Sequence, residues 1–525
     1  MIVPGTLPLT VHAFRVPWIA AGWDRLSRTT VHSGGHAGPD DHTRTVILIG
    51  AVVAAAVTLY QLSRPGSLFG ATADIAVYLG GSIRLVHGAL PYRDFVYVEP
   101  PGFVLLATPF AFLSELTGSR DALAVLRLCT PVVAVMSVVL AGCLVRHRGV
   151  AATSIACGVM ALFPAELYAL HSVLLEPVLD LCWLCGAALV FQGDSFATPR
   201  RLALGGAVFG FAVSVKLSAL IPIFVVLMLC LPQLRRRAIP FAGGVVVGGA
   251  VPALPFLVAA PAALYRDVVT TQLGRIPATG RIPVPTRLGD ITGASAFASG
   301  DAVAIAVAIA LSVFVAAAFG LSRRRPTPLE WFALGSTFAL AVAQLAPAQY
   351  YPHYAAVMAP FLAILLALAL ARLRGGHANA LSLAIAAACV AALLINQVSH
   401  LRGESTPDVA AAVDAVIPAG ACAVSDAPRN LVTADRFVAS APGCTAMTDP
   451  AGTILALDAS AEASSVWQAV FERVDYVVTD TPIRAWAVPA GASAYVANHF
   501  RLVRSGGLLV YVRFGRPAGG AQAAG

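Results

Sequence analysis

Residues 71–102 read ATADIAVYLGGSIRLVHGALPYRDFVYVEPPG. The stretch separates a first long apolar segment, residues 45–62, from a near-continuous series of others. Asp74 opens it, Tyr92-Arg93-Asp94-Phe95 sits in its middle, and Glu99-Pro100-Pro101 closes it. Polar chemistry this dense between apolar segments is more than a linker. It reads as an active site at a membrane surface.

The composition agrees. Of 525 residues, 58% are hydrophobic and 12% charged, and the mean hydropathy is +0.78. A soluble domain carries about 25% charged residues, so this balance marks an integral membrane protein. A helix needs roughly 20 apolar residues to cross the hydrocarbon. The expected fold class is an all-α polytopic membrane protein of about eleven transmembrane helices with a small C-terminal extracytoplasmic α/β domain.

The first span, Thr45–Leu62, lies too deep for a secretory signal and lacks a small-residue cleavage site. Residues 1–43, with Arg15, Arg25 and Arg28, are then a cytoplasmic tail. The remaining arginines cluster at segment ends: Arg146/Arg148, Arg200/Arg201, Arg235–Arg237, Arg323–Arg325 and Arg372/Arg374. This is the positive-inside pattern, and it explains the net charge of +8 without nucleic acid.

Taking those clusters as cytoplasmic, spans fall at 45–62, 122–145, 151–169, 173–191, 202–215, 217–232, 238–260, 301–320, 331–346, 355–371 and 380–397. Residues 101–113 are apolar but short and read as a re-entrant helix. The transmembrane domain covers 44–400, an extracytoplasmic domain 401–515, and a disordered end 516–525. Segments 63–100, 169–173, 261–300 and 346–354, the turn at Lys216 and the tail then share the outer side of a bacterial inner (plasma) membrane.

In the tail, Asp408–Val416 reads as a helix. Ala421–Ser425, Tyr476–Thr479 and Leu502–Arg513 read as strands, the last folded at Ser505-Gly506-Gly507. Seven of the nine cysteines lie in apolar segments as small hydrophobes. Cys422 and Cys444 lie in the tail, where an oxidising compartment would let them pair.

Asp74 begins an amphipathic helix that Gly88 can stop. Ile75, Leu79, Ile83 and Val86 share one face, expected to lie in lipid, and Asp74, Tyr78 and Ser82 share the adjoining one. A carboxylate held there can take a proton from an acceptor hydroxyl. The competing reading is an acid at a helix N-terminus satisfying backbone donors. Arg93 and Asp94 read as a structural ion pair. Glu99, fixed as extended before Pro100, is a substrate or metal contact, or else a solvated loop acid.

Glu176 in HSVLLEP is an acid within a span and a functional candidate by default; His171 faces elsewhere. Lys216, the chain's only lysine, sits in a 31-residue apolar run. A compact ammonium there suits a phosphate oxygen and needs a partner, unless it snorkels to the interface. Arg275, Arg281 and Arg287, on the outer loop, can clamp a phosphate bidentately. Gln349-Tyr350-Tyr351-Pro352-His353-Tyr354 is either an interfacial aromatic belt or a sugar- or phosphate-binding wall, with Tyr351 and His353 its candidate contacts.

Together these residues resemble the lipid-linked-sugar glycosyltransferases of the GT-C fold, the group holding the protein O-mannosyltransferases and the lipid A aminoarabinose transferases. The resemblance rests on Asp74 after the first span and on Gly88…Pro91-Tyr92-Arg93-Asp94-Phe95 running to Pro100-Pro101-Gly102. Leu175-Glu176-Pro177, Lys216 in a mid-protein hairpin, and Tyr351…His353-Tyr354 before Pro360 support it. It covers roughly residues 45–400 and implies an inverting transfer from a polyprenyl-phosphate sugar to an extracytoplasmic glycan, lipid or protein. Asp74 would be the general base, and Lys216 with loop arginines would hold the leaving phosphate.

The chain departs from the aminoarabinose transferases by having Glu99, not lysine, before the proline pair. It also lacks the paired Asp-Glu of the mannosyltransferases, so neither donor nor acceptor carries over. No glycine-rich nucleotide motif occurs, so no nucleotide cofactor is expected; a divalent metal ion is left open. Rival classes are a flippase, which predicts inverted repeats, and a non-catalytic cell-wall-binding scaffold.

Overall fold

The computed structural model describes residues 39–70, 72–274, 281–297, 300–322, 324–373, 384, 387–388, 390–397, 409–437, 443–457 and 461–517. Most of the expected N-terminal tail, Arg275, and residues 518–525 of the expected disordered end lie outside the described residues.

The apolar segments up to residue 371 are helical. They form α1 (Pro39–Leu62), α2 (Ala73–Val86), α3 (Gly102–Thr117), α4 (Ser119–Leu128), α5 (Thr130–Val145), α6 (Val150–Leu162), α7 (Pro164–Ser172) and α8 (Leu175–Val190). Then come α9 (Pro199–Val215), α10 (Leu220–Cys230), α11 (Ile239–Ala259), α12 (Val284–Thr292), α13 (Asp301–Leu321), α14 (Pro328–Leu345) and α15 (Ala359–Arg372). By length and hydropathy, five helical stretches among the described residues can cross a membrane, or six if α6 and α7, bent by 45°, form one span. The protein is a multi-pass membrane protein, but that measure does not reproduce eleven crossings. One reason is length: α8 has 16 residues and α9 has 17, about 24–26 Å of helix against a ~30 Å hydrocarbon core.

Glycine packing fixes the chain's direction through the middle. A Cβ on Gly206 would lie 2.1 Å from the Phe241 carbonyl oxygen, and one on Gly210 2.1 Å from that of Val245. On the facing helix, a Cβ on Gly244 would lie 2.0 Å from the Ala203 oxygen and one on Gly248 1.9 Å from that of Ala207. Small residues four apart let α9 and α11 touch backbone to backbone. The contacts advance together along both helices, so the two run parallel. The chain therefore reverses between them. Lys216, at the end of α9, and Arg235–Arg237, before α11, lie at opposite ends of this pair.

The arginine clusters converge. Glu330, fully buried at the start of α14, pairs with Arg372 at 2.7 Å and with Arg148 at 3.2 Å, and Arg372 also donates to the Arg324 carbonyl at 3.0 Å. Arg148 further pairs with Asp194 at 2.7 Å. Between this end and the Lys216 end, Trp183, Phe209, Phe241, Phe332 and Phe361 pack ring on ring.

The tail forms a four-stranded sheet of β1 (Ala423–Ser425), β2 (Tyr476–Thr479), β3 (Phe500–Ser505) and β4 (Leu508–Arg513), ordered β1-β2-β4-β3. β1 and β2 are parallel, and the other pairings are antiparallel. The turn at Gly506 and Gly507, both at positive φ, makes the last hairpin. Cys422 and Cys444 are disulfide-bonded. The loop they close docks on the helical body: Asp435 accepts from the Ser119 hydroxyl at 3.1 Å and the Arg120 amide at 2.8 Å, and Phe437 lies 4.8 Å from the Arg84 guanidinium.

Candidate active site

α2 carries Asp74 in its first turn. Its apolar face does not lie in lipid, as its amphipathic pattern implies. Ile75 and Leu79 are fully buried and Ile83 nearly so, in one core cluster with Phe103, Val104 and Val432. The polar face is buried too, with Ser82 donating to the Val104 carbonyl at 2.9 Å across to α3. Protein covers α2 on both sides because α3 packs against it and the docked tail loop closes over Gly80, where a Cβ would lie 2.8 Å from the Phe437 ring. Asp74 itself stays partly exposed.

Loop 87–101 is held rather than free. Arg93 and Asp94 pair at 2.7 Å, and Asp94 also accepts from the Leu90 amide at 2.7 Å. The Tyr92 hydroxyl donates to the Glu99 carbonyl at 2.7 Å. From the segment after α11, buried Asp267 accepts from the Tyr97 amide at 3.3 Å. Gln272 donates to the Val98 carbonyl at 2.8 Å and to the Glu99 carboxylate at 3.1 Å.

Glu99 opens into a cavity of about 370 Å³ that Glu176, Lys216, Ser218, Gln272, Gln344, Tyr350 and Tyr354 also line. Asp74 is not among its lining residues. Lys216 ends α9 in extended backbone, where the helix cannot continue into the turn at Leu217. Its ammonium donates to Glu176 at 2.5 Å and lies 4.3 Å from the centre of the Tyr354 ring. The membrane position demands a partner for this charge. Glu176, 1% exposed, is that partner.

Asp74 and the cavity acids converge on Tyr78. Burial, and then the carboxylates of Asp74, Glu99 and Glu176, hold the Tyr78 phenol well above its ordinary range. It is therefore a neutral hydroxyl, able to donate. Asp74 and Glu99 likewise reach buried Tyr97. His353 stacks on exposed Tyr351, ring centres 5.6 Å apart.

The loop arginines behave differently from one another. Arg287 is fully buried and donates to the carbonyls of Ile282, Gln344, Pro347 and Ala348 at 2.6–3.2 Å. It braces the cavity wall, with Nε, Nη1 and Nη2 each bonded to backbone. Among the described residues, exposed Arg281 reaches the Leu345 and Ala346 carbonyls, at 3.4 Å. His171 lies away from Glu176; its carbonyl accepts from Arg127 at 3.2 Å. Among the described residues no group of three His, Cys, Asp or Glu could hold a metal ion.

Two contributors are not evident from sequence: Gln272 is one amide in a polar loop, and Arg127 one arginine in a span. Arg127, 2% exposed, donates to the carbonyls of Ser67 at 2.7 Å and Leu68 at 2.9 Å and to Gly70, as well as to His171. It thus ties the chain entering the Asp74 helix to the turn entering the Glu176 helix. A buried arginine in a span, needing several acceptors, was the available signal.

Neither a protein-family model nor a curated protein sequence matches the chain. Among solved structures it is similar to ArnT from Cupriavidus metallidurans in the apo state, with 16% identity over 89% of this chain and 98% of that one and a TM-score of 0.58. Against the same protein bound to undecaprenyl phosphate the values are 14%, 89%, 97% and 0.61. The apo oligosaccharyltransferase of Archaeoglobus fulgidus aligns at 15% identity over 91% of this chain and 75% of that one, with a TM-score of 0.50. At such identities the common property is the fold, and the chain has the fold of the GT-C glycosyltransferases.

Proposed function

We propose that the chain is a membrane glycosyltransferase that moves a sugar from a polyprenyl-phosphate donor to an acceptor hydroxyl on the extracytoplasmic side of the inner membrane. The observation that carries this reading is the cavity at the Lys216 end, where an ammonium, Glu99 and Glu176 meet beside the Asp74 helix. A protein of the same fold has been seen with undecaprenyl phosphate. The eleven-span topology belongs to this proposal, with the disulfide-bonded tail outside.

The chemistry follows from the groups present. The acceptor oxygen attacks the anomeric carbon and its proton passes to Asp74. The bond from that carbon to the phosphate oxygen breaks, and the electron pair leaves with the lipid phosphate, inverting the configuration. Lys216 has three N–H donors. Glu176 takes one and the Tyr354 face attracts the cation, which leaves a donor for a phosphate oxygen. Tyr78 stays a neutral donor to a sugar or phosphate oxygen. Among the described residues no three His, Cys, Asp or Glu groups come together to hold a metal ion, and no step is assigned to one.

The test is undecaprenyl-phosphate binding to the full-length protein in lipid nanodiscs, read by native mass spectrometry. Wild type is expected to retain the lipid over a neutral polyprenol of equal length. The double variant Lys216→Met/Glu176→Gln, which keeps the site uncharged, is expected to lose that preference. Equal retention of both lipids by wild type would remove the basis of the proposal.

A further inference from the structure

The chain around Val98 is pinned from two sides. The π-helical turn Arg266–Thr270 carries buried Asp267, which accepts from the Tyr97 amide at 3.3 Å. The next turn, Thr271–Gly274, carries Gln272. From the other side the tail helix Pro450–Leu457 rests on the loop, since a Cβ on Gly452 would lie 2.9 Å from Val98 Cγ1. The Tyr92 hydroxyl holds the Glu99 carbonyl at 2.7 Å. With the backbone held at these points, what is left to set is the direction of the Glu99 carboxylate.

Gln272 sets it. A glutamine amide nitrogen has two N–H donors, and this one donates to the Val98 carbonyl at 2.8 Å and to Glu99 Oε1 at 3.1 Å. The carboxylate is thereby fixed against its own backbone by a neutral group, which orients it without cancelling its charge. Glu99 and Lys216 line the same cavity. A lipid phosphate entering there is attracted by the ammonium and repelled by the carboxylate. A carboxylate accepts hydrogen bonds, and sugar hydroxyls donate them. The two groups therefore sort the ends of one ligand, phosphate toward Lys216 and hydroxyls toward Glu99.

We propose that Glu99 receives hydroxyls of the sugar carried by the lipid phosphate, and that Gln272 is the residue positioning it. The sugar as ligand rests on the glycosyltransferase reading. The control of Glu99 by Gln272 rests on the two hydrogen bonds alone.

Gln272→Leu, Glu99→Ala and the double variant, as full-length proteins in nanodiscs, test it by two measurements. Hydrogen exchange of residues 92–99 needs no substrate, and Gln272→Leu is expected to exchange faster there than wild type. Exchange at the wild-type rate overturns the positioning role whatever the activity. Single-turnover transfer is then measured from undecaprenyl-phosphate hexose and pentose donors radiolabelled in the sugar, beside retention of undecaprenyl phosphate, which has no sugar. Gln272→Leu is expected to slow transfer about 10–10²-fold, to retain undecaprenyl phosphate as wild type does, and to add nothing to the loss in Glu99→Ala. A merely structural role would slow transfer in both backgrounds, so equal slowing with and without the Glu99 side chain overturns the proposal. Transfer by wild type from neither donor would sink the glycosyltransferase reading and the sugar contact with it, and the exchange result would then decide the role of Gln272 by itself.

Discussion

The bridge between Lys216 and Glu176 makes a quantitative demand. The two side chains are 17% and 1% exposed. Removing one partner of such a buried pair costs about 3–5 kcal/mol, because the other is left as an uncompensated charge or must change protonation. Lys216→Met should therefore lower the stability of the folded protein by about 3–5 kcal/mol, part of it the lost contact with the Tyr354 ring, worth about 0.5–2 kcal/mol. Glu176→Gln should cost a similar amount by stranding the ammonium. The double variant leaves no unpaired charge and should be less damaged than the two single costs summed, with a coupling of about 2 kcal/mol or more. Reversible detergent denaturation of wild type, both single variants and the double measures all four states. Additive costs, or a Lys216→Met protein within about 0.5 kcal/mol of wild type, would refute the claim that Glu176 compensates the lysine in the folded state.

Other consequences are separable. Gly248→Leu should prevent stable folding, since a Cβ there would lie 1.9 Å from the Ala207 oxygen, whereas Gly243→Ala meets nothing within 4 Å and should fold normally; size-exclusion profiles in detergent distinguish them. Arg127→Gln should cost about 3 kcal/mol or more by leaving several buried carbonyls unsatisfied, and should lower turnover more than donor binding, because it frees the chain on either side of the site; unchanged stability would sink its assignment as a tie. Asp426, at the end of β1, has its carboxyl pushed up to about 6, first by burial and then by Asp480. The unfolded carboxyl ionises near 3.9, so stability falls as pH rises from there through about 6 and is level above. Asp426→Asn should therefore be more stable than wild type at pH 8, by up to about 2 kcal/mol, and equal to it near pH 4; an equal difference at both pH values would show that this ionisation is not the cause.

Much of the architecture was legible because hydropathy and arginine placement follow from the membrane itself. The clusters at Arg148, Arg324 and Arg372 do meet at one end, through Glu330, as segments on one side of a bilayer should. Lys216 was legible as a charge needing a partner. That the partner is Glu176 was not, since 40 residues separate them. The amphipathic pattern of α2 misled for a related reason. A lipid-facing face and a face packed on other helices are equally apolar, and only the tertiary contacts with α3 and the tail loop tell them apart. Arg287 illustrates what local sequence does not carry. A loop arginine reads as an anion clamp, but nothing local reveals that backbone carbonyls from residues 282–348 will occupy its donors.

The central claim, that Asp74 acts as the base in a sugar transfer from a lipid phosphate, is tested most directly by single-turnover transfer from a radiolabelled polyprenyl-phosphate sugar. Wild type and Asp74→Asn would be compared in nanodiscs, with undecaprenyl-phosphate binding measured on the same samples. The account predicts that the asparagine variant still binds the lipid but transfers the sugar about 10²–10⁴-fold more slowly. Transfer by Asp74→Asn at the wild-type rate would contradict it.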